Sequence, residues 1–184
     1  AVLSLGGTVL SESVRVAGDE INDSIATYLK KVHNLVVGER TAEEIKIKIG
    51  SAFPSNEFDL QSIDVRGLHL LSGLPRSINL KAGDLREAMS EPLNKIVDAV
   101  KRTLERTPPE LAADIVDRGI MLAGGGALVR GISDLLSHET GIFTHVAEDP
   151  LLCVVNGCGL VLDDFKSMRR VLDTPDFARN VIRD

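Results

Sequence analysis

Three consecutive glycines, Gly124–Gly126, follow the apolar run Ile120–Ala123 and precede a segment of helical periodicity. Because glycine has no Cβ, a planar base or a phosphate could lie against bare backbone at such a turn. A helix that starts just after the turn would also direct amide donors toward a bound anion. The alternative is a tight turn that merely needs positive φ. The spacing matches neither GxGxxG nor GxxxxGK[ST], so both interpretations stay open.

A carboxylate and an ammonium group lie three residues apart at Glu43 and Lys46, within another segment of helical periodicity. Residues at that spacing share one face of a helix, so the pair could hold ribose hydroxyls and the edge of an adenine. The alternative is a surface ion pair, which stabilises a helix by at most about 0.5 kcal/mol. Spacing alone does not separate these two interpretations.

Other reactive residue types lack the spacing that their chemistry needs. The adjacent acids Glu148-Asp149 and Asp163-Asp164 rarely span a catalytic cleft, so we interpret them as loop and helix-end polarity. The four histidines are scattered, and neither HExxH nor GxSxG occurs. Cys153 and Cys158 form no CxxC motif, and we expect them to be buried free thiols. The sequence therefore predicts no metal centre and no catalytic nucleophile.

Composition excludes several classes of partner. The chain carries a formal net charge of −6 and 3% aromatic residues, with Tyr28 as its one tyrosine. Nucleic-acid binding needs basic clusters and stacking side chains, so we expect no nucleic-acid partner. No apolar run approaches the ~20 residues of a membrane-spanning helix, and we expect no signal peptide at Ala1. A hydrophobic share of 43% is enough for a globular core.

Periodicity predicts alternating strands and helices, which favours an α/β layered fold with ligands at the carboxyl ends of strands. Thr41 and Glu44 fit a capping box at the start of the second helix, and Pro92 is expected to restart the long third helix. The predicted elements are strands Ala1–Leu5 and Thr8–Val16 as a hairpin, helix Glu20–Asn34, a helix from Thr41 to Gly50, short strands Ile63–Arg66, Leu68–Leu71 and Ser77–Leu80, a helix from Leu85 that ends before Pro108, strand Ile120–Ala123, a helix around Ile132–Leu136, strand Ile142–Val146 and an apolar segment Leu151–Leu162.

Seven stretches carry a resemblance that goes beyond single motifs. They are Ser4–Val9, Val16–Glu20, Gly38–Lys46, Glu91–Leu93, Thr107–Ala112, Met121–Leu128 and Glu139–Leu151. Taken in this order, they resemble the MreB family of bacterial actins. The resemblance covers about residues 1–164, and the combination of stretches is highly specific.

The resemblance implies an α/β fold of the actin-like (ribonuclease H-like) ATPase type, of which this chain would be the second half. Residues 1–17 and 83–184 would form the core subdomain, and residues 18–82 a small α+β insert subdomain. Two segments would contact the adenosine of ATP, with Glu43 and Lys46 as the best side-chain candidates. The implied contact residues are Ala42, Glu43, Glu44, Ile45, Lys46, Gly124, Gly125, Gly126 and Ala127.

Further expectations concern parts of the family's proteins that this chain lacks. The family's second phosphate loop would lie just before Ala1, and its first phosphate loop and the residues that position magnesium would belong to the other half. We therefore expect ATP hydrolysis only from the full-length polymerising protein. The resemblance implies a filament of identical copies that controls cell shape and organises cell-wall synthesis. Its partners would be RodZ and MreC-type wall-synthesis proteins. The filament would be cytoplasmic and would attach to the membrane through the other half.

Other functional classes stay open. A sugar kinase or a heat-shock chaperone of the same superfamily shares the actin-like cleft, and a glycine-rich turn suits either. A kinase half should bring a catalytic aspartate that faces the sugar, and a chaperone should bring a long substrate-binding domain after the cleft. A third possibility is an interaction domain that binds no nucleotide.

Overall fold

The computed structural model describes residues 1–165 and residue 168, and helices alternate with strands along that part of the chain. A short 3-10 turn at Gly125–Leu128 lies between β6 and α5. In chain order the elements are β1 (Val2–Ser4), β2 (Gly7–Leu10), α1 (Gly18–His33), β3 (Leu35–Val36), α2 (Glu39–Ile49), β4 (Ser62–His69), β5 (Pro75–Lys81), α3 (Ala82–Glu105), α4 (Pro109–Arg118), β6 (Ile120–Leu122), α5 (Ile132–Thr140), β7 (Thr144–Val146) and α6 (Cys153–Asp163).

The N-terminal hairpin is shorter than predicted. β1 and β2 pair antiparallel, with Val2 opposite Leu10. The predicted second strand continued to Val16, but β2 ends at Leu10, the last residue that pairs with β1. Residues 11–17 therefore run as irregular backbone to the start of α1.

The first two helices follow the predicted periodicity, but the predicted capping box is wrong. At the start of α1, the carboxylate of Glu20 accepts a hydrogen bond of 2.8 Å from the backbone N–H of Ala17. α2 begins at Glu39, directly after the extended residue Gly38. Thr41 therefore lies inside the first turn of α2, where its hydroxyl cannot act as the cap.

β3, β4 and β5 form an antiparallel sheet in that order. The prediction broke β4 at Gly67, but Gly67 pairs with Arg76 within a continuous strand. A Cβ on Gly67 would lie 2.5 Å from the carbonyl oxygen of Val36, so this glycine allows β3 to approach closely. β3 has two residues and was not predicted, because so short a strand carries no periodic pattern.

α3 is one continuous helix that passes through Pro92. The predicted start at Leu85 and restart at Pro92 are therefore wrong, since the helix begins at Ala82. Proline has no N–H, so the carbonyl oxygen of Ala88 lacks its usual helical donor. The hydroxyl of Ser24, on α1, donates a hydrogen bond of 2.8 Å to that oxygen. The hydrogen bond from α1 thus replaces the helical hydrogen bond that Pro92 removes from α3.

α1 and α3 pack against each other and run antiparallel. Glu20, in the first turn of α1, interacts electrostatically with Lys95, in the second half of α3. Tyr28, two turns later in α1, interacts with Asp84 in the first turn of α3. The carboxyl end of α1 therefore lies beside the amino end of α3.

α4 was not predicted, because two prolines indicated only the end of the preceding helix. Pro109 instead occupies the first turn of α4, where its missing N–H costs no helical hydrogen bond. The strand–turn–helix–strand unit that follows is confirmed. β6 and β7 pair in parallel, with Ile120 opposite Thr144, and α5 lies between them in sequence.

Buried apolar side chains form one cluster that joins α1, α2, the three-stranded sheet, α3 and α5. The predicted subdomain boundaries fall at the starts of α1 and α3, but the cluster runs from Ile21 to Leu136 across both segments. The division into residues 1–17 with 83–184 and residues 18–82 stays a prediction, and its last part lies outside the described residues. Fully buried members of the cluster include Ile25, Leu29, Leu35, Leu80 and Leu85.

α6 exposes apolar side chains and contributes none to the core of the described residues. The expectation of two buried thiols is wrong, because Cys158 is exposed and Cys153 is half-buried. The thiol of Cys153 lies 3.2 Å from the carbonyl oxygen of Asp149.

Among residues 1–165 no helix combines the length and the apolar character needed to cross a membrane.

Candidate functional site

An open cleft of about 810 Å³ lies where three parts of the fold meet. The start of α1 and one face of α2 form two of its sides, and the glycine-rich turn after β6 forms the third. Leu93 and Ile96 of α3 and Leu151, which follows β7, supply apolar surface. Small-molecule sites usually have volumes of about 300–1,000 Å³, so the cleft is large enough for a nucleotide-sized ligand.

The conformation of the glycine-rich turn is compatible with both interpretations that the sequence left open. Gly124 has φ +84°, a value that favours glycine, and its N–H donates a 2.7 Å hydrogen bond to the carbonyl oxygen of Pro150. Gly125 and Gly126 instead line the cleft. A Cβ on Gly126 would meet no atom within 4 Å, and one on Gly125 would lie 3.6 Å from Leu151. The first glycine shapes the turn, and the next two leave backbone open to the cleft.

Lys46 connects α2 to the start of α1 at the edge of the cleft. Its ammonium group donates a hydrogen bond of 3.1 Å to the carbonyl oxygen of Gly18. Glu43 lines the same cleft with an exposed side chain, and no ion pair joins it to Lys46 in the described structure. The pair therefore shares a helix face, as its spacing predicted, but each side chain is placed separately.

The remaining predicted residues of α2 lie away from the cleft. Ala42 and Ile45 are buried in the core, because their spacing places them on the face of α2 that packs against it. Glu44 is exposed on the outer face, where its carboxylate lies 3.3 Å from Arg40 and 3.9 Å from Lys48. Of the nine predicted contact residues, the structure brings Glu43, Lys46, Gly125, Gly126 and Ala127 together at the cleft.

Sequence reasoning missed the part of the site formed by the start of α1. Ala17, Gly18 and Asp19 line the cleft together with the glycine-rich turn. Gly18 and Asp19 were included in one of the stretches that carry the family resemblance, but they were not predicted to contact a ligand. The signal available was the acidic pair Asp19-Glu20, because acidic residues favour the first turn of a helix, whose amino end carries partial positive charge.

Backbone donors at the start of α1, beside the cleft, act on the carboxyl of Glu20. The hydrogen bond from the N–H of Ala17 holds the pKa of the Glu20 carboxyl below its usual range, and the N–H of Glu20 itself and the charge of Lys95 act in the same direction. Among the described residues, no group of three His, Cys, Asp or Glu side chains could hold a metal ion. The arrangement suits binding of a planar, partly apolar ligand whose edge carries hydroxyl or amino groups.

Comparison with protein families places this geometry in a known group. The model of the MreB/Mbl protein family matches residues 1–170. The chain is 45% identical over 168 residues to the cell shape-determining protein Mbl of Bacillus subtilis, covering 91% of this chain and 50% of that protein. It is 49% identical over 163 residues to the cell shape-determining protein MreB of Escherichia coli, covering 89% and 46%. The chain thus spans about half the length of these curated relatives.

Solved structures agree with the fold described above. MreB 5 of Spiroplasma citri bound to AMPPNP superposes with a TM-score of 0.81 at 35% identity, covering 86% of this chain and 47% of that one. The MamK double helical filament gives a TM-score of 0.65 at 18% identity, covering 79% and 45%, and supports the fold alone. The expected actin-like α/β fold is confirmed.

Proposed function

Because this chain belongs to the MreB/Mbl family, we propose that it is the second half of an ATP-binding, actin-like filament protein that controls cell shape. In this proposal the chain supplies the adenosine side of the nucleotide cleft. The family match favours a filament protein over the sugar kinase and chaperone alternatives.

One observation carries the proposal for adenosine. The cleft is lined both by the charged residues Glu43 and Lys46 of α2 and by open backbone at Gly125 and Gly126. Glycines without Cβ atoms let an adenine ring lie close to the backbone, and the polar side chains of α2 can bind ribose hydroxyls. MreB 5 of S. citri has been solved with AMPPNP and with ADP.

The residues of the cleft fit the base and sugar of ATP better than its phosphates and magnesium. The described residues contain no grouped metal ligands. Bound magnesium would neutralise charge on the phosphates during phosphoryl transfer, and we assign its ligands to the other half of the protein. The role of Glu43 and Lys46 is then to bind and orient the nucleoside.

The wider biology of the chain follows from the same proposal. Copies of the protein would assemble into filaments in the cytoplasm, attached to the membrane through the other half, and would organise cell-wall synthesis with RodZ and MreC-type partners. Residues 1–17 and 83–184 would form a core subdomain, with residues 18–82 as an insert. ATP would favour the closed, assembling state by binding it more tightly than the open state.

Two neighbours on α2 provide a matched test. Glu43→Ala in the full-length protein should weaken ATP binding by about tenfold or more, since a hydrogen bond to a charged group contributes about 1.5–3 kcal/mol. Glu44→Ala, which changes the same residue type on the exposed face, should leave the affinity unchanged. Titration calorimetry measures both, and sedimentation with and without ATP measures assembly. Equal affinities for the two variants would remove Glu43 from the site. Wild-type protein that neither binds ATP nor sediments with it would refute the proposed function.

A further inference from the structure

The loop between α2 and β4, residues 50–61, packs against the backbone that follows the glycine-rich turn. Ser51 forms a parallel β-bridge with Arg130. The N–H of Ala52 donates a 2.7 Å hydrogen bond to the carbonyl oxygen of Arg130, and both Ser51 and Ala52 are buried. Together with Phe58 of the same loop, we call these three residues the joint.

The side chain of Arg130 stacks on the aromatic ring of the joint. Its guanidinium carbon lies 3.7 Å from the centre of the Phe58 ring, well within the ~6 Å range of a cation–π contact. Phe58 is 8% exposed and belongs to the core cluster, whereas Arg130 is exposed. In the part of the chain that the structure describes, Arg130 takes part in no ion pair. The ring of Phe58 is therefore the contact that holds the guanidinium in place.

Two contacts with α3 hold the loop that carries Phe58. The carboxylate of Asp59 forms an ion pair with the half-buried side chain of Arg86. The N–H of Ala82, where α3 begins, donates a 2.9 Å hydrogen bond to the carbonyl oxygen of Gln61. Phe58 thus has a fixed position relative to the core, and a side chain that stacks on its ring is fixed with it.

The joint lies where two sides of the cleft meet. Gly50, directly after α2, lines the cleft, and the next residue, Ser51, belongs to the joint. Arg130 itself lines the cleft, as does the glycine-rich turn that precedes it. The joint therefore connects α2 with the glycine-rich turn, much as the hydrogen bond from Lys46 to Gly18 connects α2 with the start of α1.

The separation between these two sides decides how well a ligand can contact both. Dispersion contacts lose much of their strength over a gap of about 0.5–1 Å, and a hydrogen bond needs a donor–acceptor distance of about 2.7–3.2 Å. Contacts that fix the separation before a ligand arrives reduce the ordering that binding must impose. A contact at the joint can therefore change affinity without touching the ligand.

We propose that Arg130 and Phe58 are positioning residues of the nucleotide site, because their contact sets the separation between α2 and the glycine-rich turn. The inference rests on the proposed binding of adenosine in the cleft. Arg130 acts through the ring of Phe58 and through its backbone hydrogen bond to Ala52. A contact can shift the equilibrium between a competent and an incompetent cleft by no more than its own strength. For a cation–π contact this limit is about tenfold in affinity.

Titration calorimetry of full-length variants tests the pair. Arg130→Ala and Phe58→Leu should each weaken ADP and ATP binding by about three- to tenfold, with the same factor for both nucleotides, since both share the base and ribose. Arg130→Lys should lie between Arg130→Ala and wild type, because an ammonium group keeps part of the interaction with the ring. The variant that combines Arg130→Ala with Phe58→Leu should bind no more weakly than the weaker single variant, because both changes remove one contact.

Val65→Ala separates positioning from a general loss of stability. Val65 is 2% exposed, lies in β4 and does not line the cleft. The substitution should lower the melting temperature, because it leaves space in the core, while nucleotide affinity stays unchanged. Thermal melts without nucleotide show which variants are folded. Arg130→Ala changes an exposed side chain, so it keeps the test decisive even if Phe58→Leu unfolds the protein.

The outcomes separate this inference from the function on which it rests. Wild-type protein that binds neither ADP nor ATP would refute both. Wild-type protein that binds them, with unchanged affinity in Arg130→Ala, would overturn only the positioning role. A loss in Arg130→Ala that far exceeds tenfold, or that is larger for ATP than for ADP, would make Arg130 a direct ligand contact and would also overturn it. So would an equal loss in Val65→Ala, which would assign the effect to stability.

Discussion

The hydroxyl of Ser24 donates a 2.8 Å hydrogen bond to the carbonyl oxygen of Ala88, the oxygen that Pro92 leaves without a helical donor. An acceptor that loses its partner inside a packed interface costs about 1–3 kcal/mol. The contact therefore lets α3 continue through a proline, and it fixes α1 against α3 at the middle of the molecule.

The first prediction concerns that contact. Ser24→Ala should lower the free energy of unfolding by about 1–3 kcal/mol, because the Ala88 oxygen is left unsatisfied. In a Pro92→Ala background the cost should be much smaller, since the substituted residue supplies a backbone N–H to the same oxygen. Urea unfolding of the four proteins measures the coupling. Ser90→Ala is the control, because the Ser90 hydroxyl bonds only within its own exposed helix turn. An equal cost of Ser24→Ala in both backgrounds would contradict the explanation.

The second prediction concerns Lys46, which lies on the cleft and donates to Gly18. Lys46→Met in the full-length protein should weaken ATP binding about tenfold, because it removes a polar group from the cleft and a contact that positions the start of α1. Lys48→Met is the matched control, since Lys48 is exposed and only approaches Glu44. Calorimetry with ATP distinguishes them, and the same affinity in both variants would exclude a role for Lys46 at the site.

The third prediction separates two neighbouring glycines. Gly125→Val should weaken ATP binding by tenfold or more with little change in melting temperature, because the new side chain would project into the cleft at ordinary contact distance from Leu151. Gly124→Ala should instead lower stability by about 1–2 kcal/mol, since φ at Gly124 is +84°. Melting curves without nucleotide, set beside ATP affinities, check both. A well-folded Gly125→Val protein with wild-type affinity would place the base elsewhere.

The fourth prediction is a pH dependence at the start of α1. The N–H of Ala17 lowers the pKa of Glu20 in the folded chain. A lowered folded-state pKa stabilises the fold fully above the unfolded-state value, about 4.3, and the effect is lost as the pH falls through the folded-state pKa. The stability difference between wild type and Glu20→Gln should therefore be present at pH 7 and shrink under acid conditions.

Melting temperatures of both proteins between pH 7 and pH 3 check this fourth prediction. Glu110→Gln is the control, because Glu110 forms no ion pair with the described part of the chain. A difference between wild type and Glu20→Gln that stays constant over the whole range would show that the hydrogen bond from Ala17 does not favour the charged carboxyl.

Much of the architecture could be predicted because apolar spacing reports which face of a helix is buried. The same spacing indicates that Ala42 and Ile45 belong to the buried stripe of α2, and both are buried. Their role at the site was implied by the family resemblance alone. Helix ends were harder, since Pro109 can begin a helix as readily as Pro108 can end one. The place of Gly18 in the cleft could not be predicted from the sequence. It depends on the hydrogen bond from the Lys46 ammonium to the Gly18 carbonyl oxygen, and the two residues are 28 positions apart.

The exposed apolar surface of α6 has a thermodynamic consequence. Val154 and Leu162 are each 73% exposed, so water already hydrates them in the folded chain. The heat-capacity increase on unfolding follows newly exposed apolar area, at about 0.45 cal/K/mol per Å². The chain measured by itself should therefore show an increment below the typical ~12–15 cal/mol/K per residue. Its free energy of unfolding should therefore curve less strongly with temperature, which gives a broad maximum.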